Sequence, residues 1–206
     1  MLAEQYSQKD RLKGLLDQRG MIRAQDLRQA GISAQTISRA VASGDIERVS
    51  RGVYQKHGAE IVEHQVLADA AMRVPKGVIA LVSALAFHDL TDQMPRKVWV
   101  AIGSSDWSPV QSHPPLRIVR FTETYLHQSI EHYSIAGVNV PIYSIPKTLA
   151  DLFRNPKLVD RSVAIEGLRS ALEQRKATPS ALAQAAKAGG AWKVMRPYLE
   201  ALTSNG

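Results

Sequence analysis

The chain of 206 residues contains no cysteine. That excludes disulfides, thiolate zinc sites and cysteine nucleophiles together, and it is compatible with a reducing compartment. Aromatic residues make up 6% of the sequence, and Trp99, Trp107 and Trp192 are too dispersed to form a base-stacking platform, so all three are expected to serve packing. Long apolar runs are missing as well. The uncharged, mostly apolar stretch Val78–Phe87 is about half of the roughly 20 residues that a membrane-spanning helix needs. The opening stretch MLAEQYSQKDRLKG has no apolar core of the signal-peptide kind. A cytoplasmic protein without membrane contact is expected. There is no phosphate-binding loop and no Gly-x-Ser-x-Gly elbow. His64, His88, His113, His127 and His132 show none of the paired spacings of a metal site. No cofactor, no metal and no catalytic residue is therefore expected, and the histidines are read as surface or helix-packing residues.

The composition that remains, 45% hydrophobic and 22% charged residues, is ordinary for a globular chain with a core. The formal charge of +7 is unevenly placed: residues 1–58 carry +4, residues 59–145 carry −2 and residues 146–206 carry +5. Two basic ends around an acidic middle favour a polyanionic partner. The length suits a small domain followed by a medium one.

The first segment reads as helix, helix, turn, helix, ribbon. Ser7 and Asp10 are placed to cap a helix bearing Leu12, Leu15 and Leu16, and Gly20 ends it. A short helix over 24–30 turns Leu27 inward, and Gly31 provides the turn. Ser33 caps the next helix, 34–42, in which Ile37 and Val41 form the buried stripe and Gln35, Ser38, Arg39 and Ala42 face away. After Gly44, the run DIERVSRGVYQK has β-branched and aromatic residues on both sides of Ser50-Arg51-Gly52, the pattern of a hairpin. This is the layout of a winged helix-turn-helix over residues 1–58, about 7–56 forming its ordered body.

A helical pattern follows over 59–74, with Ile61, Val62, Val66, Leu67 and Ala70 apolar, and a second runs to about His88. Strands are expected at 97–102, 116–121, 131–135 and 138–143, the last two joined by Ala136-Gly137, with a surface loop over 103–115. Helices are expected at 147–153, 162–174, 179–188 and 192–202, Thr178-Pro179 marking one start. The fold class is therefore α+β: a winged helix-turn-helix, then a mixed domain over 59–206 with strands within about 97–143 and closing helices within about 146–203.

A helix that reads double-stranded DNA must present short polar and basic side chains to the major groove while its other face packs on the preceding helix. Gln35, Ser38 and Arg39 meet that demand, and Thr36 is in reach of a phosphate or a thymine methyl. Arg39 is the best base reader, since guanidinium bonds guanine in a bidentate way. Arg48, Arg51 and Lys56 on the ribbon are expected to neutralise phosphates, which sets position rather than sequence. Ser33 and Tyr54 complete the candidate DNA-binding set. The competing reading of the same elements is a helix-turn-helix used for protein contacts.

The stretch GMIRAQDLRQAGISAQTISRAVASGDIERVSRGVYQ resembles the N-terminal winged-helix domain of the AbiEi family, the antitoxins of type IV toxin–antitoxin systems. SALAFHDLTDQMPRKVWVAI is similar to that family's Ser-Ala…Leu-Thr-x-Gln-x-Pro segment, and IPKTLADLF to its Pro-x-Lys/Arg-Thr-Leu-x-Asp motif. These segments cover roughly residues 20–55, 80–102 and 138–153 in the family's order. The resemblance implies an autorepressor that binds operator repeats and counteracts a nucleotidyltransferase-like toxin, with direct contact to that toxin left open. The last 50 residues resemble the family less distinctly.

The residues within the second and third segments suit structural roles. Thr91-Asp92-Gln93 before Met94-Pro95 can bond local backbone and fix a turn, and Lys147 and Asp151, four apart, can pair on one helix face. Two alternatives stand beside the antitoxin reading: a winged-helix regulator with no toxin, and a DNA nuclease. A nuclease would need clustered carboxylates, whereas Asp160, Glu166, Glu173 and Glu200 are scattered over expected helices with no acid-x-Lys strand.

Overall fold

A computed structural model of the chain describes residues 7–60, 62–108 and 114–204. Ile61, His113 and the first six residues of the opening stretch lie outside the described residues. The chain divides into two compact units. Of the described residues, one holds those up to Pro75 with 114–115 and 133–140; the other holds 76–108, 116–132 and 141–204.

The first unit opens with helix α1, Gln8–Arg19, whose cap Ser7 accepts from the Asp10 amide, as the sequence suggested. Leu12 and Leu16 are its buried residues. Strand β1, Met21–Arg23, follows, then helix α2, Ala24–Gln29, and helix α3, Ala34–Ala42. The ribbon is strand β2, Ile46–Ser50, and strand β3, Val53–Lys56. Strand β1 had no periodic signature in three residues, yet it pairs antiparallel with β3 and widens the ribbon to a sheet of order β1-β3-β2.

The register decides which side chains the sheet turns inward. Ile22, Tyr54 and Arg48 stand opposite one another across the three strands, so they share a face. Ile22 and Ile46 join Leu12, Leu16, Leu27 and Ile37 in the core, and Tyr54 packs against that cluster. Val53 and Gln55 face the other way and are also buried. That face is covered by helix α4, Gln65–Arg73, from which Gln65 donates to Gln55 at 2.7 Å and buried Asp69 accepts from the Ser50 hydroxyl. Val53 and Met21 on that face are both buried, and the compact unit that holds the sheet runs to Pro75.

Two expectations for these helices are corrected. The buried stripe of α3 is Ile37 and Ala40, while Val41 is 38% exposed. Positions three and four ahead of Ile37 both lie one turn on, and the small Ala40 side chain lets α3 come close to its neighbours. Helix α4 begins at Gln65 rather than 59, because His64 takes a left-handed conformation, φ 60°, that a helix cannot continue through. Val62, ahead of this helix, and Val66, in its first turn, are exposed.

The remaining strands form a sheet of order β6-β5-β4-β8-β7. Strand β4, Val78–Ile79, leads into helix α5, Leu81–Phe87; strand β5 is Val98–Gly103 and strand β6 Leu116–Phe121. Helix α6, Glu123–Leu126, precedes strands β7, Ile130–Ile135, and β8, Val138–Tyr143. Strand β4 is antiparallel to β5 and parallel to β8, and β5 is parallel to β6. The two-residue β4 and the single-turn α6 are too short to show periodicity. The Ala136-Gly137 turn has φ of 49° and 72°, the pair of positive values that a tight hairpin turn requires. All six residues of β5 are buried, which is why VWVAIG lacks alternation.

Four helices close the chain: α7, Ile145–Arg154; α8, Arg161–Glu173; α9, Pro179–Ala188; and α10, Trp192–Thr203. Helix α7 is packed by α5, α8, α9 and α10. A Cβ on Gly167 of α8 would press on Leu85 and Leu149, so that glycine sets the close approach of α8 to α5 and α7. Trp99 is buried under the Arg117 guanidinium, and Trp192 packs on the same core. Trp107 departs from the packing expectation at 72% exposure, because it lies in the loop after β5 rather than on an element.

His88, buried after α5, has Nε2 2.8 Å from the Tyr143 carbonyl. A carbonyl can only accept, so Nε2 carries the proton. Burial pushes the imidazole pKa below its ordinary 6.5, opposed by the bond to Tyr143. The unfolded chain therefore takes up its proton first as pH falls. The stability linked to this group is complete above pH 6.5 and is lost as pH falls through the lower folded value. Urea denaturation between about pH 7 and about pH 5 is expected to show stability declining with acid, with a shallower decline in His88→Gln. Equal slopes in the two proteins would disprove the assignment.

Candidate nucleic-acid interface

Helix α3 owes its start to Ser33, whose Oγ accepts from the Thr36 amide at 3.1 Å and lies 2.9 Å from Thr36 Oγ. Thr36 Oγ in turn donates to Gln8 Oε1 at 2.8 Å. Both hydroxyls are thus engaged in holding the helix start. Ser33→Ala is expected to cost the first unit about 1 kcal/mol, measurable by urea denaturation; an unchanged midpoint would contradict the cap.

Beyond this cap the outward residues of α3 are Gln35, Ser38, Arg39, Val41 and Ala42. Gln35, Ser38, Arg39 and Ala42 are three or four apart and make one continuous strip. Arg39 has no acidic partner among the described residues, so its guanidinium stays available. At the wing, Arg51 is exposed in the turn between β2 and β3 and likewise has no acidic partner among the described residues. Arg48 is exposed on β2, with Nε donating to the Ser50 carbonyl at 3.1 Å across an irregularity in the β2–β3 register. That bond leaves its terminal nitrogens available.

The other two candidates sit differently. Tyr54 is half-buried against the core because its strand neighbours Ile22 and Arg48 put it on the inward face. Lys56, on that same face, pairs with Asp17 of α1. Alternation along β3 assigns residues to two faces but does not say which is covered. The structure therefore leaves Gln35, Ser38 and Arg39 on α3 and Arg48 and Arg51 on the wing exposed, Arg48 at the open end of the inward row with Nε held by Ser50. Ser33, Thr36, Tyr54 and Lys56 have partners within the unit.

Sequence reading missed four polar residues that brace this arrangement. Gln8 Oε1 accepts from the Ser33 amide at 3.0 Å as well as from Thr36. Asp45, just beyond α3, pairs with Lys9 at 2.7 Å and Lys13 at 3.0 Å. Lys9, then the Ser43 hydroxyl and Lys13, hold the Asp45 carboxyl far below the usual carboxylate range. These partners are more than 20 residues apart, and no local spacing announces them.

A three-helix core carrying a β-ribbon, with the third helix turning a polar strip outward, defines the first unit as a winged helix-turn-helix. Residues 10–55, from α1 to β3, match a family model described as transcriptional regulator, AbiEi antitoxin. The match takes in the first of the three resembling segments. No curated protein matches the chain. Among the described residues, no helix is long and apolar enough to cross a membrane, and no group of three acidic or histidine side chains is arranged to hold a metal ion.

Proposed function

We propose that this protein is a DNA-binding regulator that represses its own operon at operator repeats and acts as the antitoxin to a nucleotidyltransferase-like toxin. The observation carrying the DNA-binding part is the outward strip Gln35, Ser38 and Arg39 on α3 of a unit that matches a transcriptional-regulator family. Gln35 and Arg39 are the side chains with the chemistry to bond adenine and guanine edges. Arg48 and Arg51 supply phosphate contacts from the wing. The charge of +4 on residues 1–58 favours the same partner. Such a regulator works in the cytoplasm, where its DNA is.

The antitoxin part rests on the resemblance of the three segments and on the match over residues 10–55. Gel-shift titration of the full chain with DNA from upstream of its own reading frame, at two salt concentrations, tests the regulator. Tighter binding to that DNA than to random duplex, weakening steeply with salt, is the expected result. Equal binding to both would refute operator recognition. Expressing the adjacent reading frame alone and together with this protein tests the antitoxin: growth arrest relieved by co-expression is expected, and toxicity without relief would leave a regulator with no antitoxin role.

A further inference from the structure

Helix α1 reaches both ends of α3 through polar side chains. At the start, Gln8 Oε1 takes two donors, the Ser33 amide at 3.0 Å and the Thr36 hydroxyl at 2.8 Å. The Ser33 amide can only donate, so this atom is fixed as the carboxamide oxygen. At the far end, Lys9 and Lys13 close on Asp45 at 2.7 and 3.0 Å, and Asp45 also accepts from the Ser43 hydroxyl at 2.6 Å. Between these two ties, Leu12, Leu16, Ile37 and Ala40 belong to one apolar cluster. Apolar packing resists separation of two helices, but it is non-directional and tolerates sliding and rotation. Directional bonds at both ends of α3 remove that freedom.

We infer that the first turns of α1 form a clasp, Gln8 at the start of α3 and Lys9 and Lys13 on Asp45 at its end, that sets the pitch and rotation at which α3 presents Gln35, Ser38 and Arg39 to DNA. This rests on the reading of α3 as the DNA-reading helix. The clasp residues are positioning residues. Bidentate base contacts demand orientation within a narrow range, whereas phosphate contacts by long flexible side chains do not. Loss of the clasp therefore lowers discrimination between sequences more than it lowers overall affinity for DNA.

The test uses the full chain and the duplex it selects from a randomised pool. The quantity measured is the ratio of affinities for the selected duplex and for a random duplex. Partial unfolding reduces both affinities alike and leaves this ratio unchanged, which separates positioning from stability. Gln8→Ala is expected to lower the ratio about tenfold, the worth of one good bidentate base contact. Gln8→Glu keeps the acceptor and is expected to restore the ratio, even where its charge weakens binding to both duplexes. Asp45→Ala releases two lysines, so affinity for random duplex is expected to rise and the ratio to fall. Wild-type ratios in Gln8→Ala and Asp45→Ala, beside a lowered ratio in Arg39→Ala, would overturn the clasp while leaving the DNA reading intact. A ratio in Gln8→Glu no better than in Gln8→Ala would overturn it too. If the wild-type chain selects no duplex, the DNA reading itself fails, and the clasp fails with it.

Discussion

Replacing Lys147 by methionine is expected to destabilise the second unit by about 3–5 kcal/mol, because it leaves a carboxylate buried without its cation. Lys147 Nζ lies 2.8 and 2.6 Å from the two oxygens of Asp151, four residues along α7. The lysine side chain is 4% exposed and the aspartate side chain 0%. The Tyr125 hydroxyl also donates to Asp151. The ammonium sits 3.4 Å from the ring centre of Tyr125, 4.4 Å from that of Tyr143 and 5.0 Å from that of Phe121. Burial pushes the Lys147 pKa down and the Asp151 pKa up, and their mutual attraction opposes both shifts.

Removing one partner removes that attraction and keeps the desolvation of the other. Removing both should not. The double variant Lys147→Met with Asp151→Leu is expected to be more stable than Lys147→Met alone, since a buried pair exchanged for apolar groups of similar volume is often close to neutral. Urea denaturation of the wild type and the two variants measures this. A single variant within about 1 kcal/mol of wild type would show that the pair is not the tie between α6, β8 and α7 that its geometry describes.

The second large effect concerns DNA. Arg39→Ala is expected to cost about 1–3 kcal/mol on the selected duplex and to relax sequence choice at one position, as loss of a base contact does. Arg51→Ala, at the wing turn, is expected to weaken all duplexes about equally and to lower the salt slope by about one. Titrations of both variants at several salt concentrations separate the two outcomes. A uniform, salt-sensitive loss in Arg39→Ala would place that residue on a phosphate. Unchanged binding in both variants would remove α3 and the wing from the interface.

The features legible in the sequence were those carried by local chemistry. The Ser7 and Ser33 caps, the positive-φ turn at Ala136-Gly137 and the Pro179 helix start each depend on residues within a few positions of one another. The i, i+4 pairing of Lys147 and Asp151 was also legible, but not its burial, which comes from α6 and β8 packing over α7. The outward strip on α3 was readable in part: Ile37 identified the buried side, yet the choice between Ala40 and Val41 depended on what packs against it.

Sequence alone determined the order of the three helices and the ribbon and the set of candidate side chains for DNA, though not strand β1, because caps, turns and helical spacing act over one or two turns. Tertiary structure decided which of those side chains are available. Thr36 is held by Gln8, Tyr54 by the core and Lys56 by Asp17, whereas Arg39 and Arg51 remain exposed without an acidic partner among the described residues. It also brought Gln65 and Asp69 of α4 onto the far face of that sheet, bonded to Gln55 and Ser50. These outcomes depend on partners from 10 to nearly 40 residues away, and contacts at that range are formed by the folded chain, not by its local pattern.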